Sequence, residues 1–313
     1  KSENMKKKIN KLALMAGIAA LSWVGNPVQA QQIPMYSQYM FNMLNINPAY
    51  AGQQDNGTFH LLYRNQWTSF PGAPVSGSIS YDDRLTSKNS GLGIQFYSDK
   101  IGIEKTTGMQ GFYSYQAKFN ERSSLSLGMS LGLLHYATDY TRTNALDPGD
   151  PLLTETIRAT LPTAGFGALW QSKNWYVGFS MPALFKTKLY SKDQPKLQGA
   201  GQDAHLFLNT GVYIKLDDDV TLQPSVLLKA VQGPPVQADI NCHIWLKKLL
   251  GLGVSYRTKD AVVGMAQVKL GKGLQLGYAY DHNISKLISY TSGTHEIMFR
   301  FELRPKPQPE PSK

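Results

Sequence analysis

Along positions 57–303 the chain alternates large apolar with small or polar side chains, in segments of about ten residues. Alternation at period two gives a strand one apolar and one polar face. In segment 57–67, Phe59, Leu61, Tyr63 and Trp67 share one face, with His60, Arg64 and Gln66 on the other. In 73–82, Val75, Ile79 and Tyr81 oppose Ser76, Ser78 and Ser80. The clearest case runs Leu125, Leu127, Met129, Leu131, Leu133 against Ser126, Gly128, Ser130 and Gly132. The last segment carries Ile297, Phe299, Phe301 and Leu303 on one side, with Glu296, Arg300 and Glu302 on the other. Further segments carry Leu92, Ile94 and Phe96; then Met109, Tyr113, Tyr115 and Phe119; then Phe166 and Trp170; then Trp175, Val177 and Phe179. The same pattern holds in 206–216, 220–230, 236–246, 250–256, 262–270 and 274–280. These make about fourteen strands. Pro224 inside one of them predicts a bulge, because proline has no N–H for a ladder.

The connections alternate too. Residues 120–122, 172–174, 217–219, 247–248 and 271–273 are short turns, and between them fall longer loops at 138–161, 184–202, 232–235 and 281–294. Strands without helices between them predict an antiparallel sheet, and closure removes its hazardous edges. An even strand count with short turns at one end and long loops at the other describes an all-β, antiparallel transmembrane β-barrel of the outer membrane. A soluble β-sandwich also alternates, but its outward face is charged, whereas the less apolar face here is mostly Ser, Gly, Thr and Gln. Trp67, Tyr81, Trp175 and Tyr256 near strand ends suit an interfacial aromatic girdle. Lipid is therefore the first expected partner.

The first thirty residues read as a secretory signal. Met5 is the natural start, Lys6, Lys7, Lys8 and Lys11 form a basic region, residues 12–24 are apolar, and Ala30 closes a cleavage site. That apolar run falls short of the ~20 residues a membrane helix needs. Five lysines and one glutamate lie in residues 1–30, so the formal charge of +10 falls to +6 without them. Much of the basicity is then targeting, and nucleic acid is not an expected partner. Hydrophobic content of 42% with mean hydropathy −0.29 fits a barrel whose strands meet lipid with every second residue. Cys242, the single cysteine, sits in phase with Ile240 and Ile244 on the apolar face, so no internal disulfide forms.

Residues 31–56 do not alternate. They hold Tyr36-Ser37-Gln38-Tyr39-Met40-Phe41-Asn42 and Ile46-Asn47-Pro48-Ala49-Tyr50-Ala51-Gly52. Tyr36, Tyr39, Phe41 and Tyr50 need burial, Asn42, Asn45 and Asn47 suit turns, and Pro48 sets a bend. The expectation is a segment that lines or plugs the lumen, with Met40 among its contact residues. Room for it comes from the serine- and glycine-rich inner faces. Arg64, Gln66, Lys118, Lys229 and Arg300, against Asp239, Asp281, Glu296 and Glu302, are the candidate polar network of that lumen.

This stretch resembles the PorP/SprF family of outer-membrane proteins from type IX secretion and gliding systems. The resemblance continues through Arg64-x-Gln66-Trp67 with Gly72-Ala73-Pro74, through Gly178-Phe179-Ser180-Met181-Pro182, and through Gly277-Tyr278-Ala279-Tyr280-Asp281 leading to His295-Glu296-Ile297. It implies a barrel that supports export of surface proteins, with periplasmic ring lipoproteins or an exported cell-surface adhesin as partner. The tail 304–313, with prolines at 305, 307, 309 and 311, reads as an extended periplasmic arm.

Reactive chemistry is not apparent. Gly91-Leu92-Gly93 and Gly165-Phe166-Gly167 lie inside strands rather than in a phosphate loop. The six histidines, at 60, 135, 205, 243, 282 and 295, lack zinc-ligand spacing. Asp217-Asp218-Asp219 and Asp147-Pro148-Gly149-Asp150 read as turns. Neither a catalytic residue nor a metal or cofactor is expected. The reading is a non-enzymatic outer-membrane barrel of the secretion or gliding machinery, with a passive or selective channel as the alternative.

Overall fold

The structure, a computed structural model, describes residues 33–54, 56–85, 89–142, 156–184, 187–188, 201–231, 234–271 and 273–303. The signal region 1–30, the tail 304–313, the Asp147–Asp150 turn and the middles of the two longest expected loops lie outside the described residues.

Fourteen antiparallel strands close into one barrel: β1 (Thr58–Asn65), β2 (Val75–Leu85), β3 (Ser90–Ile101), β4 (Glu104–Lys118), β5 (Ser123–Asp139), β6 (Thr156–Ser172), β7 (Trp175–Ala183), β8 (His205–Val212), β9 (Val220–Val231), β10 (Gln237–Leu246), β11 (Leu250–Arg257), β12 (Ala261–Leu270), β13 (Leu274–Asn283) and β14 (Thr294–Glu302). Each strand pairs with its neighbours in sequence, and β1 also pairs with β14, Thr58 opposite Glu302 and Asn65 opposite His295. A two-residue ladder joins Thr187–Lys188 to Gly201–Gln202 above the barrel wall.

The alternation sorts as expected. Leu127, Met129, Leu131 and Leu133 of β5 face outward and are exposed, Leu131 at 68%, while Ser126 and Ser130 face inward and are buried. From Leu125 to Leu133 the strand rises about 27 Å, and at a tilt near 40° this covers most of a ~25 Å apolar band. Beyond Leu133 the outward positions turn polar: His135 and Asp139 on β5, Thr156, Arg158 and Thr160 on β6. His135 Nδ1 lies 3.0 Å from Thr160 Oγ1. The two 17-residue strands therefore reach above the lipid on the loop side, and residues 138–139 and 156–161 of the expected 138–161 loop are strand.

The turn and loop asymmetry holds with two departures. Gly102-Ile103 and residues 258–260 are short connections at the loop end. At Pro224 the expected bulge is replaced by a gap. Pairing to the β8 side runs to Gly211–Ser225 and resumes at Ile214–Leu222 in the same register. Proline withholds one N–H, and leaving the pairs 212/224 and 213/223 open satisfies that without an extra residue. The register shift of the barrel lies instead between β7 and β8, where His205 faces Ala183 but Phe207 faces Ser180. Trp67 is also displaced from the face assigned to it: β1 ends at Asn65, and Trp67 sits in the following turn with φ +50°.

Several inward residues are apolar: Leu62, Phe112, Leu169, Phe207, Leu227 and Met298 are all buried. They break the polar lumen pattern because something other than water fills the barrel.

Candidate functional site

Residues 33–54 lie within the barrel and descend from its loop half toward β1 at the turn end. Three 3₁₀ turns, Tyr39–Phe41, Met43–Asn45 and Pro48–Tyr50, shorten the path. Asn47 sets the last: its Oδ1 accepts from Ala49 N at 2.9 Å, and Pro48 occupies the first helical position. The apolar side chains seat against the inward apolar residues of the wall. Tyr39 and Ile46 pack with Phe207 and Leu227, Tyr36 with Leu62 and Met298, Leu44 and Ala51 with Phe112, and Ala49 with Leu169 and Tyr176.

The strongest polar attachment is at Ser37. Glu296 of β14, wholly buried, accepts the backbone N–H of Ser37 at 2.7 Å and of Gln38 at 2.8 Å. The Ser37 hydroxyl donates to the Asp281 carboxylate and accepts from Arg64 at 2.8 Å and Arg257 at 3.0 Å. Arg64 bridges Asp281 at 2.8 Å and Glu296 at 3.1 Å. Arg257 reaches Asp281 at 3.1 Å and Asp239 at 3.3 Å, and Lys229 reaches Asp239 at 2.9 Å. Three buried cations thus meet three buried carboxylates. Such a set is stable only because each charge is paired and hydrogen-bonded.

Further down, the wall supplies the groups that the segment's backbone lacks. Ser180 Oγ donates to Ile46 O and Ser114 Oγ to Ala51 O, both at 2.6 Å. Asn47 Nδ2 donates to Ala168 O at 3.1 Å, Asn42 Nδ2 to Ser80 Oγ at 3.0 Å, and Gly52 N to Asp82 Oδ2 at 2.9 Å. Gln95 donates to Asn45. Gly52, with φ +63°, stands against the backbone of Gly91 and Asp83, so a side chain has no room there.

Of the segment residues singled out in the sequence, Tyr36, Tyr39, Asn42, Asn47 and Pro48 are buried among these contacts. Met40, Phe41 and Tyr50 are partly buried. Met40 packs near Tyr39 and Met265, Phe41 stands edge-on to His243, and the Tyr50 hydroxyl accepts from Asn209 at 3.0 Å. The polar residues divide into two places. Arg64, Lys229, Asp239, Asp281 and Glu296 gather around Ser37. Arg300 and Glu302 pair with each other at 2.7 Å nearer the turn end, about 14 Å along β14 from Glu296. Lys118 and Gln66 join neither group. Lys118 is in the inward phase but is exposed at the very end of β4, and Gln66 lies past β1 with its backbone N–H on Pro74 O. Arg257, which completes the set, follows outward Tyr256 and so was in the inward phase all along. In the turn below, Asp217 Oδ1 accepts from Asp219 N and Val220 N while Asp218 pairs with Lys215 at 2.5 Å, a contact that raises the Lys215 pKa and lowers that of Asp218.

A family profile described as type IX secretion system membrane protein PorP/SprF matches residues 28–301. The chain belongs to the PorP/SprF family. No curated protein matches it significantly. Among solved structures, it is similar to the toluene transporter TbuX of Ralstonia pickettii (TM-score 0.51, 10% identity, 82% of this chain and 92% of that one). It also matches TodX, the toluene transporter of P. putida (0.49, 10%, 83% and 94%), and Omp33 of Acinetobacter baumannii (0.48, 9%, 80% and 100%). At such identities the likeness is one of fold. This PorP/SprF member is accordingly an outer-membrane β-barrel component of type IX secretion.

Proposed function

We propose that this PorP/SprF barrel works as a closed, non-enzymatic platform, holding either periplasmic ring proteins or an exported surface adhesin at the outer membrane. The observation that carries the reading is the occupied lumen. A segment tied to the wall by buried charges and seated by apolar clusters makes a poor conduit and a good rigid scaffold. Recognition then falls to the barrel's two ends, since loops on rigid scaffolds commonly bind partners. The same occupancy weighs against the channel reading.

Planar-bilayer conductance tests the platform. The full chain is expected to be electrically silent, and removal of residues 33–54 is expected to open steady current. A large conductance in the intact chain refutes the proposal. Affinity purification of the tagged barrel from native membranes then separates the partners, since ring lipoproteins and a large adhesin differ in size and sequence.

A further inference from the structure

Between the lumen segment and strands β8–β10 the barrel keeps a cavity of about 130 Å³. A single water needs about 10–15 Å³, so the space takes roughly ten water-sized spheres and exceeds what bridging water requires. Exposed Gln54 and Tyr213 border it, which puts its mouth at the turn end, toward the periplasm.

Four side chains around the cavity hold polar atoms that find no partner among the described residues. Asn42 gives its amide hydrogens to Ser80 and Asn241 gives its own to Tyr39, so each is left with a free carbonyl oxygen, Oδ1. Nδ1 of His60 and both ring nitrogens of His243 are also without partners. None of the four residues is more than 5% exposed. Buried polar groups of this kind are normally satisfied. The two carbonyl oxygens call for donors, and each imidazole offers both a donor and an acceptor.

The remaining surface mixes aromatic and aliphatic side chains with Gln53, Gln223 and Ser225. Phe41 stands edge-on to His243, ring centres 5.3 Å apart, and Tyr176 closes the β7 side. A carboxylate at the margin selects against anions: Asp82 borders the cavity, 3.9 Å from His60 Nε2.

We propose that this cavity binds one neutral sugar residue presented from the periplasmic side. A sugar ring supplies several hydroxyl donors within a few ångströms and an apolar C–H face for the aromatic wall. An extended peptide presents N–H groups to one side only every ~7 Å, fewer donors than a sugar ring brings to a space of this size.

Ligand-observed saturation-transfer NMR on the full chain in detergent tests the site. Glucose and N-acetylglucosamine are the neutral probes, glucosamine and glucuronate their charged counterparts, and triglycine the peptide probe. The expected result is saturable transfer to the neutral sugars, stronger than to glucuronate. Apparent affinity should fall about tenfold in Asn241→Ala, the loss of one hydrogen bond. Because that change also frees Tyr39, His60→Ala, which removes the unpartnered Nδ1 on the far side and leaves Asn241 and Tyr39 in place, must weaken binding as well. Heat-modified gel mobility confirms that each variant is a folded barrel. No transfer to either neutral sugar, binding untouched by both variants, or displacement of sugar by triglycine overturns the proposal.

Discussion

Glu296→Ala isolates the attachment of the lumen segment from the stability of the wall. The carboxylate accepts two backbone N–H groups, from Ser37 and Gln38, and pairs with Arg64. Arg64 keeps Asp281 and the Ser37 hydroxyl after the change, so the main loss is the two charge-assisted bonds. At about 1.5–3 kcal/mol each, the cost is about 3–6 kcal/mol. Burial of Tyr39, Leu44 and Ile46 supplies about 1.5–3 kcal/mol per residue and is untouched. The segment should therefore fray at residues 36–38 and stay seated below. With a factor of ten for each 1.4 kcal/mol, the opened population rises by about 10²–10⁴. Hydrogen exchange followed by mass spectrometry reads this as faster exchange in peptides covering residues 36–38, with peptides from β11 and β12 unchanged. Glu302→Ala, which breaks only the Arg300 pair nearer the turn end, should leave residues 36–38 as in the parent. Unchanged exchange in Glu296→Ala, or equal acceleration throughout the barrel, refutes the reasoning.

A methyl group at Gly128 would overlap the backbone of Pro48 and Ala49, whereas one at Gly264 meets nothing within 4 Å. Gly128→Ala should thus expose residues 47–50 to protease and Gly264→Ala should not. Asn47→Ala removes the turn cap and the bonds to Ala168 O and Phe179 O, and should cost about 1–3 kcal/mol of segment stability, seen as faster exchange around Ala49. Met129→Arg on the lipid face of β5 should destabilise folding into vesicles by about 2–4 kcal/mol, measured by urea titration. Cys242, exposed on the outer face, should react in bilayers with a lipid-soluble maleimide and resist a charged one.

Which side of the wall each residue faces was legible before any coordinates, because alternation is local. Leu131 and Ser130, or Tyr256 and Arg257, differ by one position and so by face. The aromatic, asparagine-rich stretch at 36–50 likewise announced a need for burial. Height along the barrel was not legible. Lys118 and Gln66 share the inward phase of Arg64, yet they stand at or past the ends of their strands and meet none of the buried carboxylates. Arg300 and Glu296 lie on one strand and serve separate groups. The gap opposite Pro224, too, depends on what the neighbouring strand does at that rung.

The class, the approximate strand count and the inner or outer face of nearly every strand residue all follow from the two-residue period of the chain. That Ser37 meets Asp281 and Glu296, more than two hundred residues away, and that Arg257 completes the buried set, emerges only in the folded barrel. Those meetings depend on strand register and on closure of β1 against β14, and register is a property of pairs of strands that no single strand carries.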